Sequence, residues 1–207
     1  MGNRAVITTK ENWQHGGIGI YLHWNGGRDS VEGFLEYCRL KGFRDGSYGL
    51  ARLTQVIANF FGGGLSIGID TLWHLDCDNG DNGVYIIDNW EIVDRCFMGG
   101  AEQQEYELQD MLLSIDEAQP EGERITDYIK AKEVNIADIK VGDTACFIDD
   151  LDGKVVKEEV VGIGEEGRIV NGTDVSVIPY IARYSMANPD SNINNYLRKD
   201  VKIIPAE

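Results

Sequence analysis

Two amphipathic helical patterns in the first third of the chain most constrain its fold. The first has apolar residues at the three- and four-residue spacing of one helix face: Val31, Phe34, Leu35 and Cys38. Asp29, with Glu32 three residues later, is predicted to cap this helix, and Gly42 to end it. The second is predicted to run from Ser47 to Gly62-Gly63-Gly64 and buries Leu50, Leu53, Ile57, Phe60 and Phe61. Both helices are expected on one face of a sheet.

Short β patterns surround these helices and supply that sheet. Strands are predicted at residues 3–9 and 19–24, then at 65–69, 71–75 and 84–87; residues 90–96 extend the last strand or form another. The connector 76–83 contains Asn-Gly twice, which predicts a tight hairpin turn. A calcium loop fits poorly, because Gly80 and Ile87 stand at ligand positions. The sequence therefore predicts an α+β domain with an antiparallel sheet.

The pattern changes after Pro120 and Gly122, which predicts one domain at 1–122 and another at 123–207. Short strands are predicted at 143–147, 154–163, 168–170, 174–182 and 200–204, with a turn at Gly164–Gly167. Residues 185–198 are expected to form a longer excursion with a helical turn at 192–197. Together these segments predict a small β-rich, barrel-like domain.

Acidic side chains dominate the charge of this 207-residue chain, whose formal net charge is −16. Residues 101–124 hold eight acidic residues and one basic residue, and residues 101–118 are predicted to form an acidic helix. Such a surface repels nucleic acid and attracts a basic protein partner, although the same charge also serves ordinary solubility. The candidate partner-binding residues are Glu102, Glu105, Glu107 and Asp110.

The remaining composition predicts a cytoplasmic protein with no metal and no cofactor. No apolar run reaches the roughly 18 to 20 residues that a membrane-spanning helix needs, and no secretion signal is recognised. The cysteines are too widely spaced for a zinc site and are interpreted as buried thiols: Cys38, Cys77, Cys96 and Cys146.

A polar motif ends the second predicted strand. The segment Gly19–Gly27 places His23 and Asn25 on either side of Trp24, directly before a glycine turn. One interpretation is structural, with Trp24 in the core and Asn25 in the turn. The alternative is a pocket that reads an anion or a partner group and is formed by Arg4, His23, Trp24, Asn25 and Arg28.

This opening resembles a set of uncharacterised bacteriophage and mobile-element proteins. They begin Met-Gly-x-Arg-Ser/Thr and carry a strand ending Ile-Tyr-x-His-Trp-Asp-Gly; here Ala5 replaces the hydroxyl residue and Asn25 the aspartate. The resemblance covers about the first 45 residues. It implies an origin in a phage or integrated element of a bacterial host and transfers no activity.

Two functional hypotheses from different classes follow. The first is a non-enzymatic accessory protein that binds a basic partner through acidic surface, in the manner of an anti-CRISPR or other anti-defence inhibitor. The second is a small hydrolase or nucleotide-processing enzyme that uses His23 with nearby carboxylates. His23, Asp70, His74 and Asp76 are candidates for a metal or general-base site, and the last three are expected on one strand face because alternate residues of a strand share a face. A cysteine paired with His23 or His74 is a further possibility.

Overall fold

The computed structural model describes residues 2–64, 66–99, 104–134, 138–149, 152–170, 174–184, 193–196 and 201–206. The chain divides into two compact units, Met1–Arg124 and Ile125–Glu207. The predicted boundary lies two residues before this division. Each unit contains helices and one sheet, so the fold is mixed α+β.

The N-terminal unit is built on a mixed five-stranded sheet. Its strands are β1 (Ala5–Thr9), β2 (Ile18–Leu22), β3 (Ile67–Thr71), β4 (Val84–Asp88) and β5 (Glu91–Cys96), in the order β3-β2-β1-β4-β5. Strand β1 pairs with β4 in parallel, whereas the other neighbours are antiparallel. The prediction of an antiparallel sheet is therefore wrong for the pair β1–β4.

The connector between β3 and β4 is not a hairpin, because two strands separate β3 from β4. It instead packs Leu72, Leu75 and Cys77 against the buried side chains of Val6, Val84 and Ile86 on one sheet face. The predicted strand 71–75 is wrong, because β3 ends at Thr71 and the His74 N–H then donates to the Thr71 carbonyl in a helical turn. Burial of three apolar side chains thus overrides the local hairpin signal.

The buried turn side chain of Asn79 shapes the end of this connector. Its Oδ1 accepts hydrogen bonds of 3.1 Å from both Asp81 N and Gly83 N, and its Nδ2 donates to the Gly83 carbonyl. Asn79 is only 3% exposed. The segment is therefore a turn held by one amide side chain, in agreement with the sequence-based preference for a turn over a calcium loop.

The opposite sheet face carries the main core and the three longer helices, whereas the short first helix packs Trp13 against the Val6 face. Helix α1 (Lys10–His15) joins β1 to β2; α2 (Arg28–Leu40), α3 (Gly46–Phe61) and α4 (Leu108–Glu117) follow in chain order. The fully buried side chains on this face include Ile7, Ile20 and Tyr85. They lie on the face opposite Val6, because successive residues of a strand point to opposite faces. Helix α3 contacts β1 and α2 contacts β5, so these two helices cover that face as predicted.

Helix α4 packs closely on α2 and is part of the core. A Cβ on Gly33 of α2 would lie 2.6 Å from Met111 Cγ, so only glycine permits this approach. The Tyr37 hydroxyl donates a 2.9 Å hydrogen bond to Asp116, which is 1% exposed. Burial and this carboxylate raise the pKa of Tyr37 far above its usual value. The phenol therefore remains a hydrogen-bond donor throughout the ordinary pH range.

The turn between β4 and β5 is formed by Asn89 and Trp90, both with positive φ, at 49° and 62°. This is the conformation of a two-residue hairpin turn whose second position normally holds glycine. The Trp90 indole is 7% exposed, donates 2.9 Å to the Phe43 carbonyl, and occupies the space left by Gly49 of α3. Burial of the ring offsets the cost of the left-handed backbone.

The C-terminal unit contains α5 (Thr126–Lys130) and strands β6 (Thr144–Ile148), β7 (Val155–Val170), β8 (Asp174–Tyr184), β9 (Ile193–Tyr196) and β10 (Lys202–Ile204). Their order is β10-β6-β7-β8-β9, and every pair is antiparallel. A small core is formed by Ile139, Ala145, Val160 and Ile203. The strands in the described ranges form an open sheet and no closed barrel, so the barrel-like form is not observed there.

Two local predictions in this unit are wrong. The expected turn at Gly164–Gly167 lies inside β7, which pairs with β8 without interruption from Gly162 to Val170. The expected helical turn at 192–197 is instead strand β9 over Ile193–Tyr196, paired with the end of β8. In both places, pairing with a neighbouring strand overrides the local turn preference.

Candidate partner-binding surface

The predicted acidic residues lie mostly before a helix and not on one. Helix α4 begins at Leu108, with Glu107 as its N-cap residue and Asp110 in its first turn. Glu105, Glu107 and Asp110 are all exposed. Glu102 lies outside the described residues. The prediction of a helix from residue 101 is therefore wrong over the described residues 104–107, which have no helical structure.

Asp29 holds this acidic segment against the start of α2. Its Oδ2 accepts hydrogen bonds from the backbone N–H groups of Glu105 and of Tyr106, the latter at 2.8 Å, and its Oδ1 accepts from Ser30 N at 2.6 Å. Helix α2 begins at Arg28 and its N-cap residue is Gly27, so the prediction that Asp29 is the N-cap is wrong. Hydrogen bonds to a charged carboxylate are among the stronger ones, so Asp29 fixes the position of residues 105 and 106.

An open cavity of about 420 Å³ lies along this segment. The described residues that line it include four carboxylates and no basic side chain: Asp29, Glu32, Gln104, Glu105, Tyr106, Glu107 and Leu108. We call Asp29, Glu32, Glu105, Glu107 and Asp110 the acidic patch. Arg28 lies beside it, 3.1 Å from the Glu32 carboxylate one helical turn away. The patch therefore presents a concave, strongly negative surface.

The five residues of the pocket predicted to read an anion or a partner group contact different neighbours. Arg4 Nε lies 2.7 Å from Asp81 Oδ2, and this hydrogen bond holds the pKa of Asp81 below its usual value. His23 Nδ1 lies 3.2 Å from the Tyr21 hydroxyl, and its ring meets Trp24 edge to face. The other two residues also have local partners: Asn25 with Ser30, and Arg28 with Glu32.

The turn after His23 has a clear structural reason. Asn25 has φ 53°, a left-handed conformation that asparagine tolerates. Gly26 N donates to the Asn3 carbonyl at 2.8 Å, and a Cβ at Gly26 would lie 2.6 Å from that same oxygen. The motif thus brings the chain back against β1. Trp24, however, is 46% exposed, so its predicted place in the core is wrong.

The geometry gives little support to the candidate metal and thiol sites. His74 Nδ1 lies 3.3 Å from Asp70 Oδ1, but the pair is exposed and is joined by the turn after β3, not by strand alternation. Within the described ranges, no group of three or more His, Cys, Asp or Glu residues is placed to hold a metal ion. Burial raises the pKa of all four cysteines, to about 11 for Cys146, which keeps them as thiols at neutral pH.

A second cavity, of about 560 Å³, was not predicted from the sequence. It lies at the end of α1 and is lined by Trp13, Gln14, His15, Gly16, Leu72, Trp73, Cys77 and Phe97. We call it the aromatic cavity. Trp73 is 84% exposed although it lies in a connector whose other apolar residues are partly buried. The sequence signal for this cavity is the presence of Trp13, Trp73 and Phe97 in a short helix and in connecting segments. These residues are far apart along the chain, so the sequence does not show that they lie close together.

Comparisons with models of protein families, with curated proteins and with solved structures find no match. Within the described residues, no helix combines the length and apolar character that crossing a membrane requires.

Proposed function

We propose that this protein is a non-enzymatic accessory protein that binds a basic protein partner through the acidic patch. The observation that carries the proposal is the concave lining of four carboxylates without a basic side chain among the described lining residues. Exposed carboxylates of like charge repel one another, and a cationic partner relieves that repulsion. Because Asp29 fixes the backbone of residues 105 and 106, part of the patch is ordered before the partner arrives.

The partner class proposed here is a nucleic-acid-binding protein. The groove of such a protein is lined with lysine and arginine that neutralise phosphates, and clustered carboxylates compete for the same side chains. The resemblance of the N-terminal segment to phage and mobile-element proteins fits an anti-defence inhibitor in the cytoplasm of a bacterial host. Both points support the acidic patch as a mimic of nucleic acid, with no direct binding of nucleic acid.

The hydrolase alternative receives less support. The ring nitrogen of His23 bonds the Tyr21 hydroxyl and not a carboxylate, and the His23 side chain is exposed. A general base gains strength from an orienting acidic partner, which these contacts do not supply.

The test is capture of partners from a bacterial host lysate by the tagged full chain, with parallel washes at low and high salt. We expect one basic nucleic-acid-binding protein that is retained at low salt and released at high salt. The triple variant Glu105→Gln, Glu107→Gln, Asp110→Asn should bind this protein at least about tenfold more weakly and with a smaller salt dependence.

The matched control removes three exposed carboxylates outside the patch, in Glu11→Gln, Glu91→Gln, Asp94→Asn. This variant has the same net charge as the patch variant, so it separates local complementarity from total charge. Equal affinity of the two variants would remove the patch as the binding surface. Competition between this chain and nucleic acid for binding to the partner supports the mimic; simultaneous binding of both to the partner contradicts it.

A further inference from the structure

The aromatic cavity presents rings from three separate segments. Trp13 belongs to α1, Trp73 to the turn after β3, and Phe97 follows β5. The Trp13 and Phe97 rings meet at 67° with centroids 6.1 Å apart, so they form two walls of a corner. A volume of about 560 Å³ lies within the range of roughly 300–1,000 Å³ found for small-molecule sites.

The fold fixes two of these rings, one of them on a residue with an unfavourable backbone conformation. Trp13 packs against the buried core of Val6, Val84 and Ile86 and is fixed by it. Phe97 has φ 54°, an unfavourable conformation for a bulky residue, and a Cβ at Gly83 would lie 2.6 Å from its backbone. Trp73 remains 84% exposed. An unfavourable backbone and an exposed indole at one cavity are features that folding alone does not require.

The electrostatic surroundings of the cavity favour a cation. Its described lining contains no lysine or arginine. Three exposed carboxylates flank Trp73 along the chain: Asp70 near the end of β3, and Asp76 and Asp78 in the connector that carries Trp73. Of these, Asp76 is 3.9 Å from Arg4, and Asp70 contacts His74. The faces of indole and phenyl rings attract cations, and tryptophan does so most strongly.

We propose that the aromatic cavity binds a small organic cation, a quaternary or methylated ammonium compound with an apolar or aryl substituent. The ammonium group lies against the ring faces of Trp73 and Phe97, and the substituent fills the apolar part lined by Leu72 and Cys77. This site is separate from the acidic patch and does not depend on the proposed partner. Its failure and the failure of the partner-binding proposal are therefore distinguishable.

The first test is a titration of the full chain with benzyltrimethylammonium, followed by calorimetry and by the indole N–H signals in NMR. The Trp13 and Trp73 signals should shift, and that of Trp24 should not. Trp73→Ala should weaken binding about tenfold or more. The matched control is Trp24→Ala, which also removes an exposed tryptophan and should leave the affinity unchanged. Both variants should fold, since neither ring is buried.

The second test isolates the charge. Choline and 3,3-dimethylbutan-1-ol have nearly the same shape, but a carbon atom replaces the charged nitrogen in the alcohol. The cation should bind at least about fivefold more tightly, with a smaller difference at high salt. Equal affinities for choline and the alcohol would overturn the proposal. So would the absence of binding of both choline and benzyltrimethylammonium at millimolar concentration. A trimethyllysine peptide that binds far more tightly than benzyltrimethylammonium would place the ligand on a protein and overturn the small-molecule assignment.

Discussion

Trp90 offers the sharpest test of how this fold is stabilised. Its φ of 62° places an L-residue in the left-handed region, while its buried indole packs at Gly49 and donates to the Phe43 carbonyl. Two opposing effects thus meet at one residue. Replacing the ring by alanine removes the packing and retains the unfavourable backbone, whereas glycine removes both.

The expected magnitudes differ in a defined way. Trp90→Ala should lower the free energy of unfolding by about 3–5 kcal/mol, the usual cost of removing a buried tryptophan. A left-handed conformation costs an L-residue about 1–2 kcal/mol, and glycine loses about 0.5–1 kcal/mol more than alanine through backbone entropy. Trp90→Gly should therefore be more stable than Trp90→Ala by about 0.5–1 kcal/mol, the reverse of the order expected in a regular helix or strand.

Urea unfolding followed by tryptophan fluorescence measures this difference. The remaining tryptophans, at positions 13, 24 and 73, all belong to the N-terminal unit, so the signal reports that unit alone. Equal slopes of free energy against urea are required for the comparison. Trp73→Ala is the control for loss of an exposed ring and should change stability by less than about 0.5 kcal/mol. If the alanine variant equals or exceeds the glycine variant in stability, the left-handed backbone costs no more than the extra backbone entropy of glycine, and the assigned cost of this conformation is refuted.

Three further changes probe the rest of the N-terminal unit. Gly33→Ala should destabilise it by about 1–3 kcal/mol in urea unfolding, because α4 must move away, whereas Gly63→Ala, with open space at its Cβ, should be near neutral. Tyr37→Phe should cost about 1.5–3 kcal/mol by the same measurement, since the buried Asp116 carboxylate loses the hydrogen bond from the Tyr37 hydroxyl; a neutral result would contradict that hydrogen bond. Arg4 lowers the pKa of Asp81, so this carboxylate stabilises the fold above its unfolded pKa of about 4, and the stabilisation is lost as pH falls through the lower folded value. The stability gap between wild type and Asp81→Asn should therefore be constant at neutral pH and narrow below about pH 4.

Local sequence signals predicted the two main helices well. Helices α2 and α3 run over Arg28–Leu40 and Gly46–Phe61, close to the predicted spans. Their apolar stripes repeat within a single segment, and glycine follows each one. Such patterns depend only on neighbours in the chain, which is why they can be read without knowing the fold.

Strand pairing depended on contacts that the sequence does not reveal locally. The connector with Asn-Gly twice predicts a hairpin, yet it carries the chain across the sheet so that β4 pairs in parallel with β1. The real hairpin turn, Asn89-Trp90, has no glycine because Trp90 is held by α3 and the Phe43 carbonyl. In both cases a distant apolar contact decides between conformations that differ by only a few kcal/mol.

In the acidic patch, too, the composition could be read from the sequence and the arrangement could not. Clustering of carboxylates in residues 101–124 was evident from the sequence, but the role of Asp29 was not, because its partners lie 76 and 77 residues away. Asp29 orders the segment, whereas Glu105 and Glu107 have exposed side chains. Substitution of Asp29 therefore perturbs both local order and charge, while substitution of the two glutamates changes charge alone. The glutamates are consequently the residues at which partner binding can be separated from folding.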